Sequence, residues 1–275
     1  MEEDFLSWAV DLLERIDEEP EKRRWCRNYS VCGPNPGQAE LERMLWRFTD
    51  QSYQLGLVAA NYDKIIRTLG IDEDTLKEPD VGRLTYLEAL ACVSWHFRRD
   101  HFSEGSLVRE SIGTGVMLRL LRHLRELHSG PCIVTTLETA YRCACTNIPE
   151  DFGVYQVLAP RGMEIAFLDG GGSPTAYPVD VLQEKYAACK DKAILYIGKA
   201  GGRRGLRQRV WQYLRFGANG AGNHRGGRAI WQIKNADMLL LTYECCENCE
   251  ERERQLLRDY RKENNGQYPL ANWRG

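Results

Sequence analysis

Residues 194–215, ILYIGKAGGRRGLRQRVWQYLR, constrain the fold more than any other stretch of the chain. A short apolar run of strand type enters a pair of glycines and leaves as a helical pattern, with Leu206, Val210 and Leu214 at i, i+4 and i+8. Strand, flexible turn and helix must therefore follow one another directly, with glycines where backbone can approach a ligand closely. No acid interrupts the stretch. Residues 199–228 hold eight basic residues (Lys199, Arg203, Arg204, Arg207, Arg209, Arg215, Arg225 and Arg228) and no acidic one. Such a patch is an electrostatic footprint for a polyanion, and a solvated basic face is the plainer alternative.

The rest of the chain divides around this region. Apolar residues recur at helical spacing over 2–16, 38–50, 84–98 and 107–127, with breaker clusters such as CGPNPGQ (32–38) between them. Beyond SGPC (129–132) and NIPEDFG (147–153) the pattern changes. Residues 153–159 and 163–169 read as strands joined in a hairpin across APRG, 194–198 and 237–244 as further strands, and 179–188, 205–215, 226–234 and 248–263 as helices. The expected fold class is α+β: an all-helical domain over 1–147, then a small α/β domain over 148–275 with a three-stranded sheet flanked by helices. Charge divides the same way. Residues 151–275 carry nineteen Lys+Arg against fourteen Asp+Glu, leaving eighteen against twenty-five for 1–150.

Composition excludes some classes. No run of about eighteen apolar residues appears, and the first twenty residues are acidic, unlike a secretory or transit leader, so a cytoplasmic protein with no membrane contact is expected. The ten cysteines fall partly within helical apolar patterns, which suits reduced, buried thiols. Cys246-x-x-Cys249 with Cys245 invites zinc, but a second pair at ligand spacing is missing; Cys143-x-Cys145, or Cys26 with Cys32, would have to supply it through the tertiary fold.

Three kinds of side chain carry the chemistry. Arg209 and Tyr213, four residues apart beside the 205–215 stripe, read as half-buried, and an arginine held there on a rigid element suits a phosphate. In the last helix, Asn248 and Glu251 have capping-box spacing. Glu253 falls instead on the stripe of Leu256, Leu257 and Tyr260, where a carboxylate needs a metal or a cation partner. Together these suit phosphodiester hydrolysis: a carboxylate for Mg²⁺, an arginine for developing charge, and a tyrosine whose pKa is lowered by both cations, from Tyr155 or Tyr196.

In order, Gly153-Val154-Tyr155, Tyr196-Ile197-Gly198 followed by Lys199, then Arg209, Glu253 and the Asn272 of PLAN resemble the GIY-YIG nucleases over about 150–275. The block NHRGGRAIWQI (223–233) is similar to the restriction-enzyme branch of that superfamily. The resemblance implies a DNA endonuclease of restriction or other defence against foreign DNA. It implies Tyr155 as general base, Tyr196 and Lys199 lining the site, Arg209 on the scissile phosphate, Glu253 on one Mg²⁺ (or Mn²⁺) ion per site, and Asn272 tying the chain end to the site. Tyr213 stands where several members have histidine, and the 170–192 insertion lengthens the link between the two tyrosines. Arg203, Arg204, Arg207, His224, Arg225 and Arg228 are the expected DNA contacts, His224 being read also as an ordinary surface residue. One site cuts one strand, so a double-strand break needs a homodimer or sequential nicking. A DNA-binding or scaffold protein on a nuclease fold that does not cut is the alternative.

Residues 84–107 are similar to an uncharacterised bacterial helical domain, from which no activity follows. The acidic first half reads as a specificity, regulatory or protein-partner module, with Arg98, Arg99 and His101 as an ordinary basic loop.

Overall fold

The computed structural model describes residues 5–32, 34–100, 103, 105–127, 135–169, 176–202, 204–219 and 227–273. The chain forms two compact units, Met1–Ile133 and Val134–Gly275.

The first unit is helical: α1 (Phe5–Glu18), α2 (Pro20–Arg27), α3 (Tyr29–Cys32), α4 (Ala39–Gln54), α5 (Tyr62–Leu69), α6 (Glu73–Lys77), α7 (Tyr86–Asp100), α8 (Ser106–Gly113) and α9 (Val116–Leu127). Its centre is α7, buried on every face from Tyr86 to Phe97 save Glu88, as an all-round apolar helix must be. A capping box starts it, Thr85 N donating to Glu88 Oε2 at 2.7 Å and Glu88 N to Thr85 Oγ1 at 3.4 Å. The single helix expected over 107–127 is two. Gly115 takes a φ of +76° that ends α8, a conformation that costs a β-carbon residue energy and glycine little.

Gly113 fixes the close approach of α8 to α2, because a β-carbon there would fall on the backbone of Arg27 and Arg23. Neither can yield without moving the helix. Gly113→Ala is therefore expected to cost about 1–3 kcal/mol, the usual penalty for overpacking, visible as a lower midpoint in thermal unfolding. An unchanged midpoint would mean that the two helices separate freely.

The second unit comprises β1 (Thr135–Thr136), α10 (Leu137–Arg142), β2 (Gly153–Leu158), α11 (Val179–Ala188), β3 (Ile194–Ala200), α12 (Gly205–Asn219), α13 (Arg228–Trp231), β4 (Leu240–Cys245) and α14 (Cys249–Glu263). The sheet is antiparallel in the order β1-β4-β2-β3. It has four strands where three were expected, β1 pairing Thr135 and Thr136 with Leu241 and Leu240. That pairing, with Leu137, Ala140, Cys145 and Ile148 in the core, carries the second unit back beyond the expected boundary at 147/148.

The hairpin expected between 153–159 and 163–169 does not form. Both edges of β2 are taken, Tyr155 lying opposite Gly198 of β3 and Tyr243 of β4. Residues 163–169 keep the alternation of a strand without joining the sheet: Met163, Ile165 and Phe167 pack on the core and only Phe167 makes a bridge, to Ile233. Alternation reports a half-covered segment, and pairing needs a free edge.

The pleat directs β3 to both faces. Tyr196 and Ala200 face the core that holds Leu206, Val210, Tyr213 and Leu214 of α12. Ile194 and Ile197 face Leu256, Leu257 and Tyr260 of α14. Register shifts at Val157/Leu158, which lie opposite Tyr196 and Ile194, so that Leu195 joins Tyr196 on the α12 face, as a bulge allows.

Candidate active site

Gly198 of β3 sets the geometry. A β-carbon at Gly198 would lie 2.8 Å from Tyr155 Cζ and from Tyr196 Cε1, so the two rings use the space that a side chain would fill. Tyr155 and Tyr196 have ring centroids 5.8 Å apart. Tyr213 of α12 completes the cluster, stacked on Tyr196 at 5.7 Å with planes 9° apart and edge-on to Tyr155 at 5.9 Å. Trp231 of α13 packs on Tyr213 at 5.5 Å; periodicity gives no sign of this residue's place.

Burial ranks the phenols. Tyr155 and Tyr213 are fully buried, whereas Tyr196 keeps 7% of its surface. Burial raises Tyr155 well above the ordinary tyrosine pKa, and Tyr196 adds to the rise while Arg209 opposes it. Tyr213 is raised by burial and by Tyr196. Tyr196 is also raised by burial, but Tyr155 and Arg209 pull its pKa down and Glu253 pushes it up. The Tyr155 hydroxyl reaches no partner at full hydrogen-bond geometry yet is near enough to Tyr196 for each to shift the other. The lowered phenol pKa expected from the sequence is therefore absent in the free protein, because loss of water outweighs the neighbouring cation.

Arg209 and Lys199 line one groove of about 700 Å³, with Gly201, Gly202, Gln208, Gln212 and Glu250. Arg209 is exposed rather than half-buried. The buried stripe of α12 includes Tyr213 as well as Leu206, Val210 and Leu214, which turns the helix and leaves Arg209 at the rim. Lys199 leaves the sheet toward α14, where its Nζ lies 3.1 Å from Glu253 Oε2 and 3.2 Å from Glu250 Oε1. Burial opposes its charge, but the two carboxylates outweigh this and raise its pKa.

Glu253 is half-buried, its side chain 19% exposed. A cation does compensate it, the lysine of β3 and not an arginine. Among the described residues no group of three or more His, Cys, Asp or Glu side chains is placed to hold a metal ion. The N-cap of α14 is as the spacing predicts, Asn248 Oδ1 accepting from Glu251 N at 3.1 Å. Glu251 itself pairs with Arg254 and Arg258. Glu250, in the first turn of α14, faces Lys199 in the groove.

Asn272 is tied to the sheet by its side chain. Its Oδ1 accepts from Ile197 N at 2.9 Å and its Nδ2 donates to Ile197 O at 2.8 Å. Both halves of the amide are used on backbone, so this residue positions β3 instead of touching a substrate.

The expected DNA contacts separate. Arg204 is exposed just before α12 and Arg228 is half-buried on α13. Arg207 is committed to the fold: Nε donates to Ile148 O at 2.7 Å and Nη1 to Glu150 Oε1 at 2.9 Å. Arg203, His224 and Arg225 lie outside the described residues, as does His101 of the first unit. Arg98 and Arg99 of that unit are not a bare basic loop: Arg98 lies 5.3 Å from the Tyr53 ring and Arg99 5.3 Å from the Trp95 ring. No helix among the described residues is long and apolar enough to cross a membrane.

Compared with protein-family models, with curated proteins and with solved structures, the chain gives no match.

Proposed function

We propose that residues 134–275 are a divalent-metal-dependent endonuclease of GIY-YIG type that hydrolyses DNA phosphodiester bonds, in restriction or other defence against foreign DNA. One observation carries the reading: Arg209 of α12 lines the same groove as Lys199 of β3, the Nζ of Lys199 lies 3.1 Å from Glu253 Oε2 of α14, and Tyr196 stands on the same strand as Lys199. Tyr196, at 7% exposure, is the phenol nearer to water and takes the role of base. Tyr155 and Tyr213, fully buried, orient it. Arg209 at the groove rim holds the scissile phosphate and meets the charge that grows on it. Glu253 is the carboxylate suited to Mg²⁺ or Mn²⁺. Glu253 would hold the ion, which when bound would supply Lewis-acid stabilisation of the leaving oxygen. Lys199 must release Glu253 for this and is then free to pair with phosphate.

A second reading, a DNA-binding protein that does not cut, is favoured by the Lys199–Glu253 pair and by the raised pKa values of the phenols. Incubation of the whole chain with supercoiled plasmid distinguishes the two. Nicked or linear product with Mg²⁺ or Mn²⁺, and none with a chelator, is expected. Retention of DNA that weakens with salt, without product under either ion, supports the second reading. Neither product nor retention rejects both.

A further inference from the structure

The free edge of β3 is covered by Ala271 and Asn272. Ala271 N donates to Leu195 O at 2.9 Å, and Asn272 clamps both backbone groups of Ile197, so this segment stands in for a fifth strand. Its own support comes from elsewhere. The Asn272 carbonyl accepts from Lys185 Nζ at 2.7 Å, and the same ammonium lies 4.0 Å from the centre of the Trp273 ring. Trp273 also stacks on Tyr177, centroids 4.4 Å apart and planes at 18°. The backbone of Tyr177 is held in turn by Gln232, whose amide bonds Tyr177 N at 2.9 Å and Tyr177 O at 2.8 Å. Three separate parts of the second unit thus converge on the dipeptide Asn272-Trp273.

We propose that Lys185 is a positioning residue for the phenol pair: it holds Asn272 on Ile197 and so fixes the two neighbours of Ile197, Tyr196 and Gly198, against Tyr155. A half-buried ammonium is costly without compensation, and a carbonyl and an aromatic face supply it here. Loss of water brings its pKa down to about 8, against a smaller upward pull from Cys189, the residue that follows α11. Asn272 and Trp273, packed against it, bring no charge. The consequence for cleavage rests on the hydrolytic reading above, whereas the consequence for β3 does not.

The test uses the whole chain as wild type, Lys185→Met and Lys185→Arg, and follows backbone hydrogen exchange. In Lys185→Met, exchange over 194–198 is expected to rise about ten-fold or more while 240–245 is unchanged, and arginine, which can donate and stack alike, restores protection. Unchanged exchange over 194–198 in Lys185→Met, or no restoration by arginine, overturns the proposal. A titration of tryptophan emission, taken as the difference from Trp273→Phe, decides the matter should Lys185→Met not fold. In wild type it is expected to show a transition near pH 8, absent in Lys185→Arg; a flat curve between about pH 6.5 and 9.5 overturns the proposal. If wild type cleaves DNA, Lys185→Met lowers kcat with KM little changed. If wild type does not cleave, the hydrolytic reading fails and the other two measurements still decide this one.

Discussion

Arg209→Ala and Glu253→Gln are each expected to slow DNA cleavage by about 10²–10³-fold, the usual effect of removing one pre-placed group that meets charge in the transition state. The folding cost of either change is small. Arg209 is exposed, and Glu253→Gln keeps the length and shape of the side chain on α14. What differs is the expected kinetic signature. Arg209 acts on phosphate, so its loss lowers kcat at every metal concentration. Glu253→Gln removes the ion's carboxylate, so part of its loss returns as Mg²⁺ or Mn²⁺ is raised. Arg142→Ala is the control for charge alone, since Arg142 pairs with Glu138 on α10 and does not line the groove, and its activity should match wild type. Measured rates within about two-fold of wild type for both Arg209→Ala and Glu253→Gln would sink the assigned roles, because neither group could then be worth even about 0.5 kcal/mol in the transition state.

Local signals in the sequence were good guides to elements that depend on local physics. The N-cap at Asn248, the bounds of α11 and the buried stripe of α12 follow from side-chain spacing and from backbone groups within one helix. Pairing is different. Whether 163–169 joins the sheet depends on the edges left free by β3 and β4, both of which come later in the sequence. The break of 107–127 at Gly115 depends on a φ value that a helical apolar pattern does not encode.

The candidate site shows the same division. Its residue types were legible, because a carboxylate on an apolar stripe and arginines by a glycine turn are unusual wherever they fold. Their partners were not. Arg207 and Arg209 are two residues apart and chemically alike, yet Arg207 closes on Ile148 and Glu150 while Arg209 faces the groove. The amide of Gln232 looks like a surface polar group until the backbone it clamps, at Tyr177, is brought to it. Burial of the phenols reverses the sign of the pKa shift that nearby cations alone would give.

Gly205→Ala is expected to destabilise the second unit by about 2–5 kcal/mol, through two separable causes. Gly205 opens α12 with a φ of +54°, and a β-carbon there would fall on the carbonyl oxygens of Glu150 and Asp151. Those backbone atoms cannot turn aside: Leu206 N donates to Asp151 O at 2.9 Å and Arg207 N to Pro149 O at 3.0 Å, which joins the start of α12 to the segment leading into β2. Gly266 isolates the first cause, since its φ is +82° and nothing lies within 4 Å of an added β-carbon. Gly266→Ala should therefore cost only about 1–2 kcal/mol, the penalty of the left-handed backbone. The excess of Gly205→Ala over Gly266→Ala in denaturant unfolding measures how rigidly α12 is seated. It also fixes how far Arg209, one turn along the same helix, can drift from Tyr196: an excess near zero would mean that α12 moves freely, and with it the guanidinium on which the site's charge balance depends.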